Sequence, residues 1–373
     1  MTRVPYVEGI LTADQVRATA ASIAAVQDRH GFLSVGDEHA DMWNHVEAAM
    51  ACLVGGEVEA AERAYLFMPS FQRADGSWPK EIRDGVVVDD RGEVNMSAYL
   101  AVGLWHHWLV RRDLDFVRTL WPHVRAALDF VVGLQQPFGG IRWTPVDEFC
   151  LLTGNSSIHH SLRAGVALAD LLDEPQPEWE LAGGRLAHAI REHRDLFADK
   201  STFSMDWYYP VLGGAVRDAD ARLLLASRWS DFVVPGLGVR CVDTNPWVTG
   251  AETCELVMAL DGLGDHDRAL RLFADMQRLR YDDGSYWTGW VYEDRDPDDG
   301  SRAGDEPRDV FWPVERPTYT AAAVILAADA LGERNGGSTP GSGIYRGTSL
   351  APHFREIGLE CGCSSSQASV TVE

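Results

Sequence analysis

Helical periodicity runs through most of the chain, and it takes two alternating forms. In one form apolar residues recur at every third or fourth position and leave a charged face, as in 11–29, 114–134 and 265–279. In the other form the segment is apolar nearly all round, as in 155–172 and 316–331. A helix with a charged face lies at a surface, whereas a helix without one must be buried. The alternation therefore predicts an outer and an inner layer of helices.

Six helices of each kind can be counted before residue 333. The two-faced helices are predicted at 11–29, 58–73, 114–134, 178–197, 217–229 and 265–279. The buried helices are predicted at 41–53, 93–110, 155–172, 205–214, 249–261 and 316–331. The buried helices begin about every fifty residues, and a fixed spacing of this size is typical of a repeated supersecondary unit. Six hairpins of this kind predict an all-α (α/α)6 toroid, with under about a tenth of its residues in strands.

The buried helices share a start in which a polar or aromatic cluster runs directly into the apolar segment. Their first polar residues are Asp41, Glu93, Asn155, Asp206, Glu252 and Thr318. In a toroid the inner helices run parallel, so we expect these side chains to meet around one mouth. Asp, Asn and Thr at a helix start often serve only as N-caps. Each of these residues therefore has a structural interpretation beside the functional one.

The composition changes after Leu331, where Gly, Ser and Thr become frequent. We expect one catalytic toroid over 1–332 and a largely flexible tail over 333–373. In an alternative interpretation Ile344-Tyr345 and Phe354 anchor this tail on the toroid.

The net charge limits the kinds of partner that the protein can bind. The 373 residues carry a formal net charge of −23, which disfavours nucleic acid and anionic membranes because both require a basic face. No segment is apolar over the length of a membrane span, and no basic region followed by an apolar run begins the chain. We expect a cytoplasmic protein with a neutral ligand. The oligomeric state stays open.

Neither a metal nor a cofactor is expected. The cysteines form no metal-type pairs apart from Cys361-Gly-Cys363, which has no second pair to complete a four-ligand site. His106-His107 and His159-His160 are adjacent pairs on helices, so their side chains diverge.

Glycoside hydrolysis requires one carboxyl group that protonates the leaving oxygen and one that activates water or attacks the sugar. Asp41 and Glu252 are our candidate pair, with Asp206 as a possible replacement for either. They begin the first and the fifth inner helix, which are next but one in a ring of six. Trp43 and Trp247 can exclude water and raise the pKa of the acid. We predict Glu252 as the acid, Asp41 as the base, and an inverting reaction with carboxyls about 6.5–9.5 Å apart.

Aromatic and amide side chains near the same helix starts are typical of a sugar site. The chain has 13 tryptophans, and the flat C–H faces of sugars stack on aromatic rings. The predicted substrate-binding residues are Trp43, Asn44, His45, Asn155, His159, Asp206, Trp207, Tyr208, Trp247, Trp287, Glu315 and Tyr319.

Several sequence segments resemble the hairpins of six-hairpin glycosidases, and the resemblance extends over roughly 10–332. They are Tyr99-Leu-Ala-Val-Gly-Leu-Trp-His-His-Trp, Leu120-Trp-Pro-His-Val-Arg-Ala-Ala-Leu-Asp-Phe and Thr153-Gly-Asn-Ser-Ser-Ile-His. The chain is also similar to actinobacterial toroid proteins often labelled prenyltransferase-like, among them the mycobacterial α-1,4-endomannanases of methylmannose polysaccharide. This resemblance implies a cytoplasmic enzyme that cuts a neutral, partly O-methylated mannan.

Two other functions remain open. Asp296-Pro-Asp-Asp299 matches the Asp-x-Asp-Asp acid of terpenoid cyclases, and the outer-helix exits resemble the Gln/Trp repeats of those enzymes and of prenyltransferase β subunits. The motif lies in a polar, turn-rich loop and not in an aromatic stretch, which disfavours this interpretation. A non-catalytic glycan-binding toroid would keep the aromatic residues and lack a working acid.

Overall fold

A computed structural model describes residues 3–36, 39–292, 310–335 and 337–357, and the Asp296–Asp299 motif lies outside these ranges. Within them the helices alternate between two layers. The outer helices are α1 (Ala13–Ala24), α3 (Val58–Phe67), α6 (Leu114–Val132), α8 (Pro177–Glu192), α10 (Asp218–Ser227) and α13 (His266–Asp275). The inner helices are α2 (Met42–Gly55), α5 (Leu100–Arg111), α7 (Leu152–Leu171), α9 (Ser204–Leu212), α12 (Gly250–Gly262) and α14 (Thr318–Gly332). Two short helices, α4 (Val94–Ala98) and α11 (Trp229–Phe232), complete the set.

The inner helices form a closed ring. Each contacts the next in the order α2, α5, α7, α9, α12 and α14, and α14 contacts α2. The outer helices pack around this ring, with α1 and α3 on α2, α6 on α5 and α7, α8 on α7, α10 on α9, and α13 on α12 and α14. The predicted (α/α)6 toroid is therefore confirmed, and the first and fifth inner helices are separated by α14 alone.

The sequence explains why these helices can pack so closely. All residues of α14 except Tyr319 are buried, and most of them are small or aliphatic. Between α2 and α5, a Cβ added at Gly103 would lie 2.5 Å from Cγ1 of Val46. Only glycine fits there, since a Cβ at that distance would overlap the facing helix.

Two inner helices depart from their predicted bounds. The second is interrupted at Tyr99, which separates α4 from α5. The third begins at Leu152, so Asn155 lies in its first turn and not at its start.

Two small antiparallel sheets lie in the loops that lead into the inner helices. One contains β1 (His39–Ala40), β2 (Pro79–Arg83) and β3 (Val86–Gly92). The other contains β4 (Val233–Val234), β5 (Gly238–Arg240), β6 (Trp247–Thr249), β7 (Gly289–Val291) and β8 (Val310–Phe311), in that order. Because β1, β3 and β6 directly precede α2, α4 and α12, the sheets lie at the mouth of the toroid.

The segment 337–357 packs on the toroid, which corrects the expected flexible tail over this range. Ile344 is buried, and Thr339 donates hydrogen bonds from its backbone N–H and its hydroxyl to Asp329, both at 2.6 Å. Arg346 pairs with the buried Asp261. Asp261 and Asp329 lie near the C-terminal ends of α12 and α14, so the segment covers the end opposite the mouth. The alternative anchoring through Ile344-Tyr345 and Phe354 agrees with these contacts.

No helix in the described ranges has the length and apolar character needed to cross a membrane.

Candidate active site

The N-terminal ends of four inner helices enclose an acidic cavity of about 210 Å³. Its walls come from the first two turns of α2, α12 and α14, from the start of α9 and from the adjacent β6 and β7 region. The lining residues are Trp43, Asn44, Glu47, Met205, Trp247, Thr249, Ala251, Glu252, Glu255, Thr288, Tyr319 and Ala323. The starts of α2 and α12 therefore open at the same end of the toroid.

Glu252 lies in the first turn of α12 and lines this cavity. Its neighbour Trp247 is fixed by two contacts with Trp312. The Trp247 indole N–H donates to the Trp312 carbonyl at 2.8 Å, and the two rings meet edge to face with centroids 4.9 Å apart. Trp312 is 52% exposed, so the pair forms an aromatic rim beside the carboxyl group.

Asp41 is the N-cap of α2. Its Oδ1 accepts the backbone N–H of Asn44 at 2.9 Å, and its Oδ2 accepts the Asn44 side-chain amide at 2.6 Å. Burial raises the pKa of Asp41 more than these two hydrogen bonds lower it. Asp41 does not line the cavity, but its charge helps to raise the pKa values of Glu47 and Glu93. It therefore belongs to the same acidic cluster.

The sequence prediction missed Glu47, which lies deeper in the ring. Its Oε1 accepts hydrogen bonds from the Trp43 indole N–H at 2.9 Å and from the Tyr99 hydroxyl at 2.8 Å. Burial raises the pKa of Glu47 to about 7. The Tyr99 hydroxyl also lies 3.0 Å from that of Tyr345, which belongs to the packed C-terminal segment. The C-terminal segment thus supports Glu47 indirectly, through Tyr99.

Glu255, one turn below Glu252, was missed as well. Its carboxyl accepts the Tyr209 hydroxyl at 2.7 Å and the Tyr208 hydroxyl. Burial, followed by the charge of Glu47, raises the pKa of Glu255 well above its ordinary value. The signal for both residues was a carboxylate within the apolar stretch of an inner helix, where an acidic residue is rarely buried without a partner.

The cavity brings together five of the predicted site residues: Trp43, Asn44, Trp247, Glu252 and Tyr319. Tyr208 supports the site from behind through Glu255. Trp287 and Glu315 line a separate cavity between α1 and α14. Glu315 is nonetheless close to the acidic cavity, because its Oε1 accepts the hydroxyl of Thr288 at 3.1 Å.

The structure places five other predicted residues away from the cavity, in contacts that hold loops and helices together. The His45 ring bonds to Leu33 N and Ala64 O, the Asn155 amide to Ile141 N and O, the His159 ring to Gly213 O, the Asp206 carboxyl to Thr153 and the Trp207 indole to Leu224 O. The reason is common to all five. A loop or helix end leaves backbone groups unpaired, and polar side chains near it satisfy them.

Within the described ranges no cluster of three or more His, Cys, Asp or Glu side chains could hold a metal ion.

Comparison with solved structures defines the class of this fold. A structure titled "Glycosidase Wild Type" superimposes with a TM-score of 0.64 at 17% identity, over 86% of this chain and 96% of that one. The GH63 mannosylglycerate hydrolase from Thermus thermophilus, in complex with Tris and D-glycerate, gives a TM-score of 0.60 at 14% identity, over 84% and 99% of the two chains. The architecture is thus that of the toroidal glycosidases.

Sequence comparison then gives the family. No family model matches the chain. It is, however, 52% identical over 369 residues to MMP endo-(1,4)-3-O-methyl-alpha-D-mannosidase of Mycolicibacterium hassiacum, covering 98% of each protein. The chain belongs to the family of that enzyme, and it is a glycoside hydrolase.

Proposed function

We propose that the protein is an endo-acting α-1,4-mannosidase that cuts methylmannose polysaccharide. The observation that carries the proposal is the carboxyl-lined cavity with an aromatic rim, in a chain 52% identical to a mannosidase of that specificity. Trp43, Trp247 and the half-exposed Trp312 offer apolar faces to sugar rings. The methyl groups of such a substrate would increase its apolar contact with these rings.

We propose Asp41 and Glu252 as the catalytic pair, with the roles reversed from the sequence expectation. Asp41 is half-buried beside the cavity, and its carboxyl bonds the lining residue Asn44. Burial raises the pKa of Asp41, so this carboxyl holds a proton more readily and suits the general acid. Glu252 lines the open cavity, where a water molecule can approach it, and suits the general base. Their helices are next but one in the ring, which supports an inverting reaction.

The net charge supports a neutral polysaccharide as the partner, and the free thiols support a cytoplasmic location. A net charge of −23 favours a neutral polysaccharide over nucleic acid. The cysteines in the described part, Cys52, Cys150, Cys241 and Cys254, are free thiols, which is typical of the reducing cytoplasm. We therefore propose a cytoplasmic enzyme.

The test is to incubate the protein with methylmannose polysaccharide and follow the first products by proton NMR and mass spectrometry. An endo-acting, inverting enzyme releases saccharides of intermediate length whose new reducing ends are initially β. Release of single sugars would contradict endo action. Initial α-anomers would show retention, and the proposed pair or its spacing would then be wrong.

A further inference from the structure

We propose that a second, basic cavity at the end opposite the active site binds a small phosphorylated metabolite. This cavity has a volume of about 300 Å³ and lies between α7, α9, α10 and the packed segment 337–357. Arg163, Arg217, His160 and His353 line it. It is independent of the mannosidase proposal, since it shares no lining residue with the acidic cavity.

Arg163 is the best-fixed member of the site, because it is 2% exposed and three hydrogen bonds hold it. Its Nε and Nη2 donate to the Ala351 carbonyl at 3.1 and 2.8 Å, and Nη2 also donates to the Gly347 carbonyl at 3.2 Å. These bonds use two of its three nitrogens. Nη1 has no acceptor among the described residues, so it is available to a ligand.

The space beside Nη1 depends on two glycines. A Cβ added at Gly214 would lie 3.2 Å from Nη1 of Arg163, and one added at Gly347 would lie 2.9 Å from it. Both glycines line the cavity, and both have positive φ, at 76° and 69°. L-residues with side chains rarely adopt this conformation. The backbone therefore leaves the guanidinium edge uncovered.

The positive charge at this cavity exceeds the negative charge on its wall. The Arg217 guanidinium has no carboxylate within ion-pair distance in the described ranges. Burial, and then the nearby charge of Arg217, lowers the pKa of Arg163 to about 10. Asp218 is the one carboxylate on the cavity wall, and it is exposed to solvent. Arg346 also lines the cavity, but Asp261 already pairs with it.

Histidine donors complete the arrangement. His160 is 4% exposed, and its Nε2 lacks a partner among the described residues. Burial, together with the charges of Arg163 and Arg217, lowers the pKa of His353 to about 4. In a chain of net charge −23, two close arginines at one cavity form a local exception to the overall charge, and the two histidines add neutral hydrogen-bonding groups. A bound anion would offset the repulsion between the arginines and satisfy the uncovered donors.

The shape and lining indicate the class of ligand. Two guanidinium groups can bond several oxygens of one phosphate, whereas a carboxylate offers only two. Part of the wall is apolar, through Val211, Leu212 and Leu263. The volume is at the lower end of the range for small-molecule sites. The site therefore fits a phosphate group attached to a small neutral body.

Calorimetry at low ionic strength tests this with inorganic phosphate, glycerol 3-phosphate and acetate, and with glycerol as the neutral control. We expect one site per chain for both phosphates, tighter binding of glycerol 3-phosphate, and no saturation with glycerol. Acetate should bind more weakly than either phosphate, and equal or tighter binding of acetate would overturn the assignment to phosphate.

Arg217→Gln should weaken binding of both phosphates at least about tenfold, because it removes charge-assisted hydrogen bonds. Arg118→Gln on α6 makes the same charge change far from the cavity and should leave the affinity unchanged. Arg217 is partly exposed and unpaired within the described chain, so its variant should melt at the wild-type temperature. The proposal is overturned if neither phosphate saturates the protein, or if the two variants bind equally well.

Discussion

Buried carboxyl groups distinguish the centre of this toroid from an ordinary helical core. Burial raises the pKa of Glu47 to about 7, that of Glu93 to about 8 and that of Asp329 to about 7. Each has hydrogen-bond donors close by, which lower the pKa less than burial raises it. These carboxyl groups consequently titrate near neutral pH, where exposed carboxylates are already ionised.

These shifts predict that the stabilisation contributed by each of these carboxyl groups is lost as the pH rises. Between an unfolded pKa near 4 and a folded pKa of about 7, native Asp329 binds more protons than it does in the unfolded chain. The contribution of Asp329 to the free energy of unfolding must therefore fall across this range. Asp329→Asn should remove this contribution, which amounts to at most about 4 kcal/mol between pH 4 and 8, since one pKa unit corresponds to about 1.4 kcal/mol.

Urea unfolding at several pH values measures this effect. Asp267→Asn on the exposed face of α13 is the control, and it should keep the wild-type pH dependence. Asp329 lies at the end opposite the active site, so catalysis does not complicate the comparison. An unchanged slope in Asp329→Asn would show that this carboxyl is ionised in the native protein throughout the range.

Individual site residues could be predicted only in part. Trp43, Asn44, Trp247, Glu252 and Tyr319 reach the cavity because they follow directly on the loops that begin inner helices. Their position near a helix start also led us to place His45 and His159 in the site. Their rings instead bond to backbone groups of other segments. Which way a side chain points in the first turn depends on its long-range partners. A single sequence does not reveal those partners.

At the scale of elements, the alternation of two-faced and buried helices predicted all six hairpins. The strands escaped prediction because they are only two to seven residues long and lie in loops, where no periodic pattern develops. The helix break at Tyr99 could not be predicted either, because the hydrophobic periodicity of the sequence does not change there. The hydroxyl of Tyr99 contacts both Glu47 and Tyr345.

The packed segment 337–357 could not be recognised from its composition. Its Gly and Ser residues are typical of flexible chain, but Arg163, Asp261 and Asp329 on the inner helices bind it. These contacts join positions roughly 10 to 190 residues apart. Such contacts form only when the ring is assembled, so the composition of the segment does not reveal them.

Tyr345→Phe tests whether this segment contributes to the active site. The change removes the hydroxyl that contacts Tyr99 and should cost about 1 kcal/mol of stability, the usual contribution of one hydrogen bond. We expect kcat to fall several-fold with little change in KM, and the pH profile of kcat to shift because Glu47 loses part of its support. Tyr281→Phe, at an exposed tyrosine, should do neither. Wild-type kcat and pH profile in Tyr345→Phe would limit the segment to a structural role.

At the scale of the whole molecule, ring closure gives the candidate pair its geometry. Asp41 and Glu252 are separated by 211 positions in the sequence, yet α14 alone lies between their helices. This relation was predicted correctly because it depends only on the number and order of the hairpins. The distribution of acid and base roles depends on local burial, and for that reason we reverse it in the proposed mechanism.

The most direct test of the account separates binding from turnover at Glu252. Glu252→Gln keeps the shape of the side chain and removes the base. It should bind methylmannose polysaccharide with nearly wild-type affinity while kcat falls at least about 100-fold. Glu57→Gln, the same substitution at the opposite end of the toroid, should retain full activity. Turnover by Glu252→Gln at the wild-type rate would contradict the proposed site, and binding without turnover by the wild-type protein would identify a glycan-binding toroid instead.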